Sequence, residues 1–164
     1  MTTAHDNKHI THVRAGAGTT WWVLTDTFIF KAVSEDTAGR FALIEMNIPP
    51  QAGPPPHVHT VEDEAYYILE GEFAVFDGER TITVRAGDYV HIPPGTLHWF
   101  KNTSDAASRM LVLITPAGFE NFFFEIGKPA IAGQPAPPPS PADFALSVSA
   151  AATYGLELHL PVDA

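Results

Sequence analysis

Residues 64–102 read EAYYILEGEFAVFDGERTITVRAGDYVHIPPGTLHWFKN. Within this stretch Glu64–Glu70, Glu72–Asp77, Arg80–Val84, Tyr89–Ile92 and Leu97–Asn102 are short runs rich in aromatic and β-branched residues, the composition of strands. Turn chemistry separates them. Asp77-Gly78 is a hairpin signal between two strands, and Ala86-Gly87-Asp88 and Pro93-Pro94-Gly95 mark further turns. The rhythm extends upstream through Thr20–Leu24, Thr27–Val33 and Arg40–Ile48, and downstream through Arg109–Thr115. No helix-length pattern falls between these segments, so they predict an all-β sandwich or barrel rather than a parallel α/β fold.

The chain of 164 residues is one domain's worth. A chain of this length buries roughly 68–70% of its unfolded surface, so its folding needs neither a metal nor a disulfide. A hydrophobic content of 45% with 17% charged residues excludes a disordered protein. The formal net charge of −10 repels polyanions, which argues against nucleic acid and anionic membrane as partners. With no cysteine, thiol nucleophiles and cysteine-ligated metals are excluded, and any metal must be held by histidine and carboxylate. The polar start, MTTAHDNKHITHVRAG, has no apolar core of a secretory signal. The longest aliphatic run, Met110–Ile114, is far short of the ~20 residues a membrane helix needs, and the expected location is cytoplasmic.

Two regions break the strand rhythm. Phe119–Ile126 predicts a short amphipathic helix, with Phe119, Phe122, Phe123 and Ile126 on one side. Residues 127–139 form a connector in which Pro129, Pro135, Pro137, Pro138 and Pro139 enforce extension. Ser140, Pro141 and Asp143 then make a capped helix start, and the helix should end near Tyr154, before Gly155. The expected organisation is a core domain over 1–126, the connector over 127–139 and a helical appendage over 140–164. The appendage has three places open to it: its own barrel, a partner, or the mouth of a pocket.

Residues able to carry chemistry fall into two clusters. In the first, His57 and His59 are two apart, so on an extended backbone both rings project to one face. Glu62, Asp63 and Glu64 follow, each a candidate acidic neighbour. In the second, His98 opens a strand after the Pro93-Pro94-Gly95 turn. Three imidazoles and a carboxylate suit a divalent first-row metal. His5, His9, His12 and His159 have no partner at useful spacing and read as ordinary histidines. His91 alternates with Val90 and Ile92, so it should point away from the core, with Tyr89.

These clusters resemble the cupin family. His57-x-His59-x4-Glu64-x6-Gly71 matches the first cupin motif, and Gly87, Pro93, Gly95, His98 and Asn102 match every fixed position of the second. One glycine departs from the pattern: three residues rather than five separate Gly53 from His57. The resemblance implies a double-stranded β-helix, or jelly-roll, barrel with a metal in its mouth. By motif position His57, His59, Glu64 and His98 would be the ligands of one divalent ion, Mn, Fe, Co, Ni or Zn. If Glu64 faces inward, alternation takes Tyr66 and Ile68 inward with it and leaves Tyr67 and Leu69 outside. If His98 faces inward, so does Phe100, with Trp99 outside. Tyr66, Ile68 and Phe100 are therefore candidate pocket residues for a flat, aromatic substrate, although aromatics also fill small barrels.

Within the family the chain looks most like the single-domain quercetinase-type dioxygenases. The likeness rests on the His-x-His-x4-Glu spacing, the run Glu64–Gly71, the Phe-rich segment after the barrel and the helix beyond a proline-rich connector. It implies oxygenation of a flavonol-like or enol-bearing aromatic substrate with O2 and no organic cofactor, Glu64 serving as metal ligand and base. Cupins commonly pair through barrel faces or exchanged strands, so a homodimer is implied, with Trp21, Trp22, Tyr67 and Trp99 as candidate interface residues. Two other readings share the scaffold. One is metal-dependent isomerisation or decarboxylation of a small oxo acid, for which the barrel segments offer as cations only Lys31, Arg40, Arg80, Arg85, Lys101 and Arg109. The other is a non-enzymatic cupin that binds a small molecule.

Overall fold

The computed structural model of the chain describes residues 10–160, so His5 and His9 lie outside the described residues. Each strand expected from the sequence forms within two residues of its expected ends. In chain order the strands up to the first helix are β1 (Thr19–Val23) and β2 (Asp26–Ala32), followed by the single turn α1 (Ser34–Thr37). Then come β3 (Ala42–Ile48), β4 (His57–His59), β5 (Asp63–Glu70), β6 (Glu72–Phe76), β7 (Thr81–Arg85), β8 (Tyr89–Ile92), β9 (Trp99–Asn102) and β10 (Ser108–Thr115). The helix α2 (Glu120–Ile126), the two-residue β11 (Lys128–Pro129), the helix α3 (Pro141–Ala151) and β12 (Leu156–Leu158) complete the chain.

Seven strands form one antiparallel sheet in the order β11-β1-β2-β3-β10-β5-β8. Opposite it lie the ladders β7-β6-β9 and β12-β4, joined by a backbone bridge between His57 and His98. The result is a two-sheet jelly roll. Its core follows from alternation: Phe28, Phe30, Ile44, Met46, Tyr66, Ile68, Met110 and Val112 face inward from the large sheet, and Phe73, Val75, Val84 and Phe100 from the other. Among the described residues no helix is long and apolar enough to cross a membrane.

The Phe-rich helix is shorter than expected at its start, because Phe119 is the N-cap rather than the first helical residue. Phe124 stacks on Phe30 at 4.3 Å and Phe123 lies edge-on to Phe28 at 4.8 Å, which fastens α2 to the β1–β2 hairpin. The helix α3 starts as expected: Ser140 Oγ accepts from the Asp143 amide, and Asp143 Oδ2 accepts from the Ser140 amide at 2.8 Å. A single 3-10 turn over Ala152–Tyr154 leads to Gly155, whose φ of 67° lets the chain reverse. Residues 156–158 are not helical. They run back as β12 along β4 of the same chain, with Leu156 opposite His59 and Leu158 opposite His57. The appendage thus packs on its own barrel, with Ala150, Ala151 and Leu156 in the core.

Candidate metal centre

The loop into β4 is Gly53-Pro54-Pro55-Pro56, where the prolines fix extended backbone and donate nothing. Gly53 is needed for close approach: a Cβ there would stand 2.0 Å from the Phe100 carbonyl oxygen. The displaced glycine of the first motif therefore presses its loop onto β9. Within β4, His57 and His59 alternate with Val58 and share a face. His57 and His98 exchange backbone bonds, each amide donating to the other's carbonyl at 3.0 Å. Glu64 comes from the opposite sheet, in an inward row between Ile114 of β10 and Ile92 of β8. One sheet thus supplies three imidazoles and the other a carboxylate, and their ligating atoms lie within 4.8 Å of one another. None of the four residues is more than 7% exposed.

Three consecutive acids have three different fates. Asp63 turns outward and accepts from His91 Nε2 at 2.8 Å, which accounts for both residues lying away from the site. Glu64 enters the group, its Oε2 3.0 Å from His98 Nε2 and 3.6 Å from His59 Nε2. Glu62 is buried behind His59, with Oε2 3.8 Å from that ring's Nδ1. In the sequence Glu62 stands only as a rival of Glu64, because its placement depends on the turn at Thr60–Val61.

The electrostatics prepare the group for a cation. Burial pushes the Glu64 carboxyl up, but His59, His98 and His57 around it outweigh that and hold it at about 2. Burial, reinforced by His98, lowers His57 to about 4, and burial likewise lowers His59. Burial also works against the charge on His98, but its hydrogen bond to Glu64 prevails and raises it. His57 Nδ1 meets the Pro55 carbonyl and His98 Nδ1 the Thr96 carbonyl, both at 2.8 Å. An N–H committed there leaves His57 Nε2 with its lone pair directed into the group, and His98 Nε2 presents its own once a cation displaces the proton it shares with Glu64.

A divalent metal fits these residues. An ionised carboxylate in an aliphatic row is stabilised by a cation it can neutralise. The 3.0 Å between Glu64 Oε2 and His98 Nε2 is also what two donors about 2.1 Å from one ion adopt at right angles.

Of the residues expected to line a substrate pocket, Tyr66 touches this group directly. The Tyr66 hydroxyl donates to Glu64 Oε2 at 2.9 Å, and the Tyr66 ring lies edge-on to Phe100 at 5.5 Å. Tyr66 and Ile68 are fully buried, and Phe100 also borders a cavity of about 150 Å³ lined by Gln51, Pro54, Trp99 and Lys101. Phe119, which the sequence offered only as a helix residue, sits edge-on to His59 at 4.4 Å and covers the group. Of the aromatics considered for an interface, Trp22 is buried and Trp21 packs on Phe124 of the same chain. Trp99 stacks on Phe76, and Tyr67 is 46% exposed. The cations Lys31, Arg80, Arg85 and Arg109 pair with Glu45, Asp77, Glu72 and Glu45/Glu70.

Comparison with known proteins agrees with the fold and the motifs. The family model described as "Cupin domain" matches residues 44–114. The chain is 29% identical over 98 residues to quercetin 2,3-dioxygenase of Bacillus subtilis, and 28% identical over 127 residues to that of Aspergillus japonicus. These matches take in 60% and 73% of this chain but only 29% and 35% of those proteins, so the chain spans about a third of their length. An oxalate-binding protein of Thermotoga maritima is 30% identical over 107 residues, 65% of this chain and 84% of that one. Among solved structures, a predicted oxalate decarboxylase of Thermotoga maritima superposes with a TM-score of 0.60 at 24% identity, over 65% of this chain and 99% of that one. KdgF from Halomonas sp. does so at 0.55 and 18%, over 62% and 91%; both likenesses speak to fold alone. With the likeness to the oxalate-binding protein running through most of its length, and both histidine motifs on a two-sheet jelly roll, this chain belongs to the cupin family.

Proposed function

We propose that the chain holds one divalent transition-metal ion through His57, His59, Glu64 and His98, and acts as a dioxygenase on an enol-bearing aromatic substrate of flavonol type. The observation that carries this reading is Glu64 itself: an anionic carboxylate whose Oε2 is held by the Tyr66 hydroxyl at 2.9 Å amid three imidazoles. The metal, when bound, supplies Lewis-acid stabilisation of the enolate and a place for O2 chemistry. Glu64 takes the proton from the substrate hydroxyl, a transfer for which the Tyr66 donor keeps Oε2 fixed in direction. Phe119 packed on His59, and Tyr66 packed on Phe100, give the group an aromatic surround, which supports an aromatic substrate. Likeness to two quercetin 2,3-dioxygenases supports the substrate class.

A second reading is favoured by the enclosure of the group, where no ligand is more than 7% exposed, and by likeness to an oxalate-binding protein. It takes the site as a holder, isomerase or decarboxylase of a small oxo acid or dicarboxylate. Oxygen uptake separates the two. The metal-loaded protein should consume O2 with a flavonol and lose at least about 100-fold of that rate in Glu64→Gln. Tight oxalate binding without O2 uptake would overturn the dioxygenase reading, and uptake retained in Glu64→Gln would remove Glu64 as base.

A further inference from the structure

Three histidines build the group, but only two of them have their outer nitrogen accounted for. His57 Nδ1 and His98 Nδ1 each meet the carbonyl two residues earlier, Pro55 and Thr96, at 2.8 Å. The equivalent carbonyl for His59 is that of His57, and it already accepts the His98 amide. His59 Nδ1 is buried without a hydrogen-bond partner, and so is Glu62 Oε2. These two atoms lie 3.8 Å apart, on side chains 5% and 10% exposed. Two buried polar atoms lacking partners and facing each other across less than 4 Å are complementary: an imidazole N–H and a carboxylate oxygen.

The surroundings leave Glu62 few other roles. Glu120, the next acid near it, is committed elsewhere, accepting from the Ser34 amide and hydroxyl and from the Gly118 amide. Phe119 covers His59 from another side with a ring edge and offers no acceptor. Thr60 is turned to the tail, its hydroxyl donating to the Gly155 carbonyl at 2.8 Å.

We infer that Glu62 is a positioning residue for His59, its carboxylate closing the 3.8 Å gap to accept the Nδ1–H and direct the Nε2 lone pair into the group. The inference rests on the metal-site reading for its consequence. His59 is then the one ligand backed by a carboxylate, while His57 and His98 are backed by neutral carbonyls, which makes it the most electron-rich imidazole of the three. The sequence spacing is a histidine followed three residues later by an acid, across the Thr60–Val61 turn.

Two measurements test it. Imidazole proton–nitrogen NMR spectra of metal-free protein should show a His59 Nδ1–H resonance in a strong hydrogen bond, lost in Glu62→Ala and moved in Glu62→Gln. Titration with Co(II) against a chromophoric chelator should show affinity reduced about 10- to 100-fold in Glu62→Ala and less in Glu62→Gln, with a changed visible spectrum in both. Equal melting temperatures of the metal-free proteins would confirm that the fold is intact. An unchanged His59 resonance in Glu62→Ala, or wild-type affinity with an unchanged Co(II) spectrum, overturns the role. Failure of the metal reading looks different: the parent protein takes up no Co(II), while the NMR signal still depends on Glu62.

Discussion

His57 and His98 are joined main chain to main chain, with both hydrogen bonds at 3.0 Å and ring centroids 4.2 Å apart. Their imidazoles are neighbours because the backbone bridge makes them so, not because the rings attract. Replacing either side chain leaves that bridge in place. His57→Ala and His98→Ala should keep the far-ultraviolet circular dichroism of the parent while metal content drops from near-stoichiometric to below about a tenth. Mass spectrometry of protein purified without a histidine tag reads this directly, and full metal in either variant would disprove the ligand assignment.

Asn102 holds the turn behind the second motif. Its Nδ2 donates to the carbonyls of Ile48, Pro49 and Ala106 at 2.9, 3.1 and 2.9 Å. Its Oδ1 accepts from the Ser104 amide and the Ser108 hydroxyl. The side chain is fully buried, so Asn102→Ala strands several polar groups and should cost about 3 kcal/mol or more. Urea unfolding measures this, and a loss under about 1 kcal/mol would show that water replaces the amide.

Asp26 gives the fold a pH dependence of its own. Burial raises its carboxyl to about 7, against a weaker opposing hydrogen bond from Thr25. Between about pH 4 and 7 the folded chain keeps this proton while the unfolded chain has released it. The contribution of Asp26 to stability therefore falls as pH rises through that window, by about 1.4 kcal/mol per pH unit, and is flat above it. The lowered His57 contributes in the opposite sense between about pH 4 and 6.5. Asp26→Asn removes the Asp26 contribution, so the difference between variant and parent should grow from near zero at about pH 4 to a clear excess for the variant at about pH 8. Unfolding midpoints of metal-free protein across that range provide the check, and parallel curves for the two proteins would rule the effect out.

Gly53 and Gly87 should respond differently to alanine. At Gly53 the added Cβ would strike the Phe100 carbonyl, so the loop must lift off β9 and carry His57 with it. We expect a loss of about 1–3 kcal/mol together with weaker metal binding. At Gly87 nothing lies within 4 Å and only φ, at 93°, is unfavourable. Gly87→Ala should cost about 1–2 kcal/mol and leave metal affinity unchanged. Equal metal affinities in both variants would show that the loop does not position His57.

Much of this was legible because it depends on local alternation. The inward turn of Tyr66 with Glu64 and the outward turn of His91 with Tyr89 both follow from period-two geometry. The long strands and both helices carry enough residues for their patterns to show. The elements that escaped are α1, β11 and β12, with β4 read only as extended backbone and not as a strand. They have two to four residues and lack the turn signals and aromatic or β-branched runs that mark the equally short β8 and β9. The strand β12 is also specified by partners nearly a hundred residues away, which no local window contains. The partnership of Glu62 with His59 escaped for another reason: it is set by how the Thr60–Val61 turn folds, and alternation is silent across a turn.

The pairing of β12 with β4 has a consequence for how molecules of this protein meet one another. The Pro56 carbonyl and Thr60 amide on the outer side of β4 are occupied by the His159 amide and the Gly155 carbonyl. Stripped of that cover, the histidine strand would present an open sheet edge, the kind of surface that recruits strands from other chains. Detachment of the tail would thus show first as self-association seeded at β4, with the rest of the jelly roll still folded.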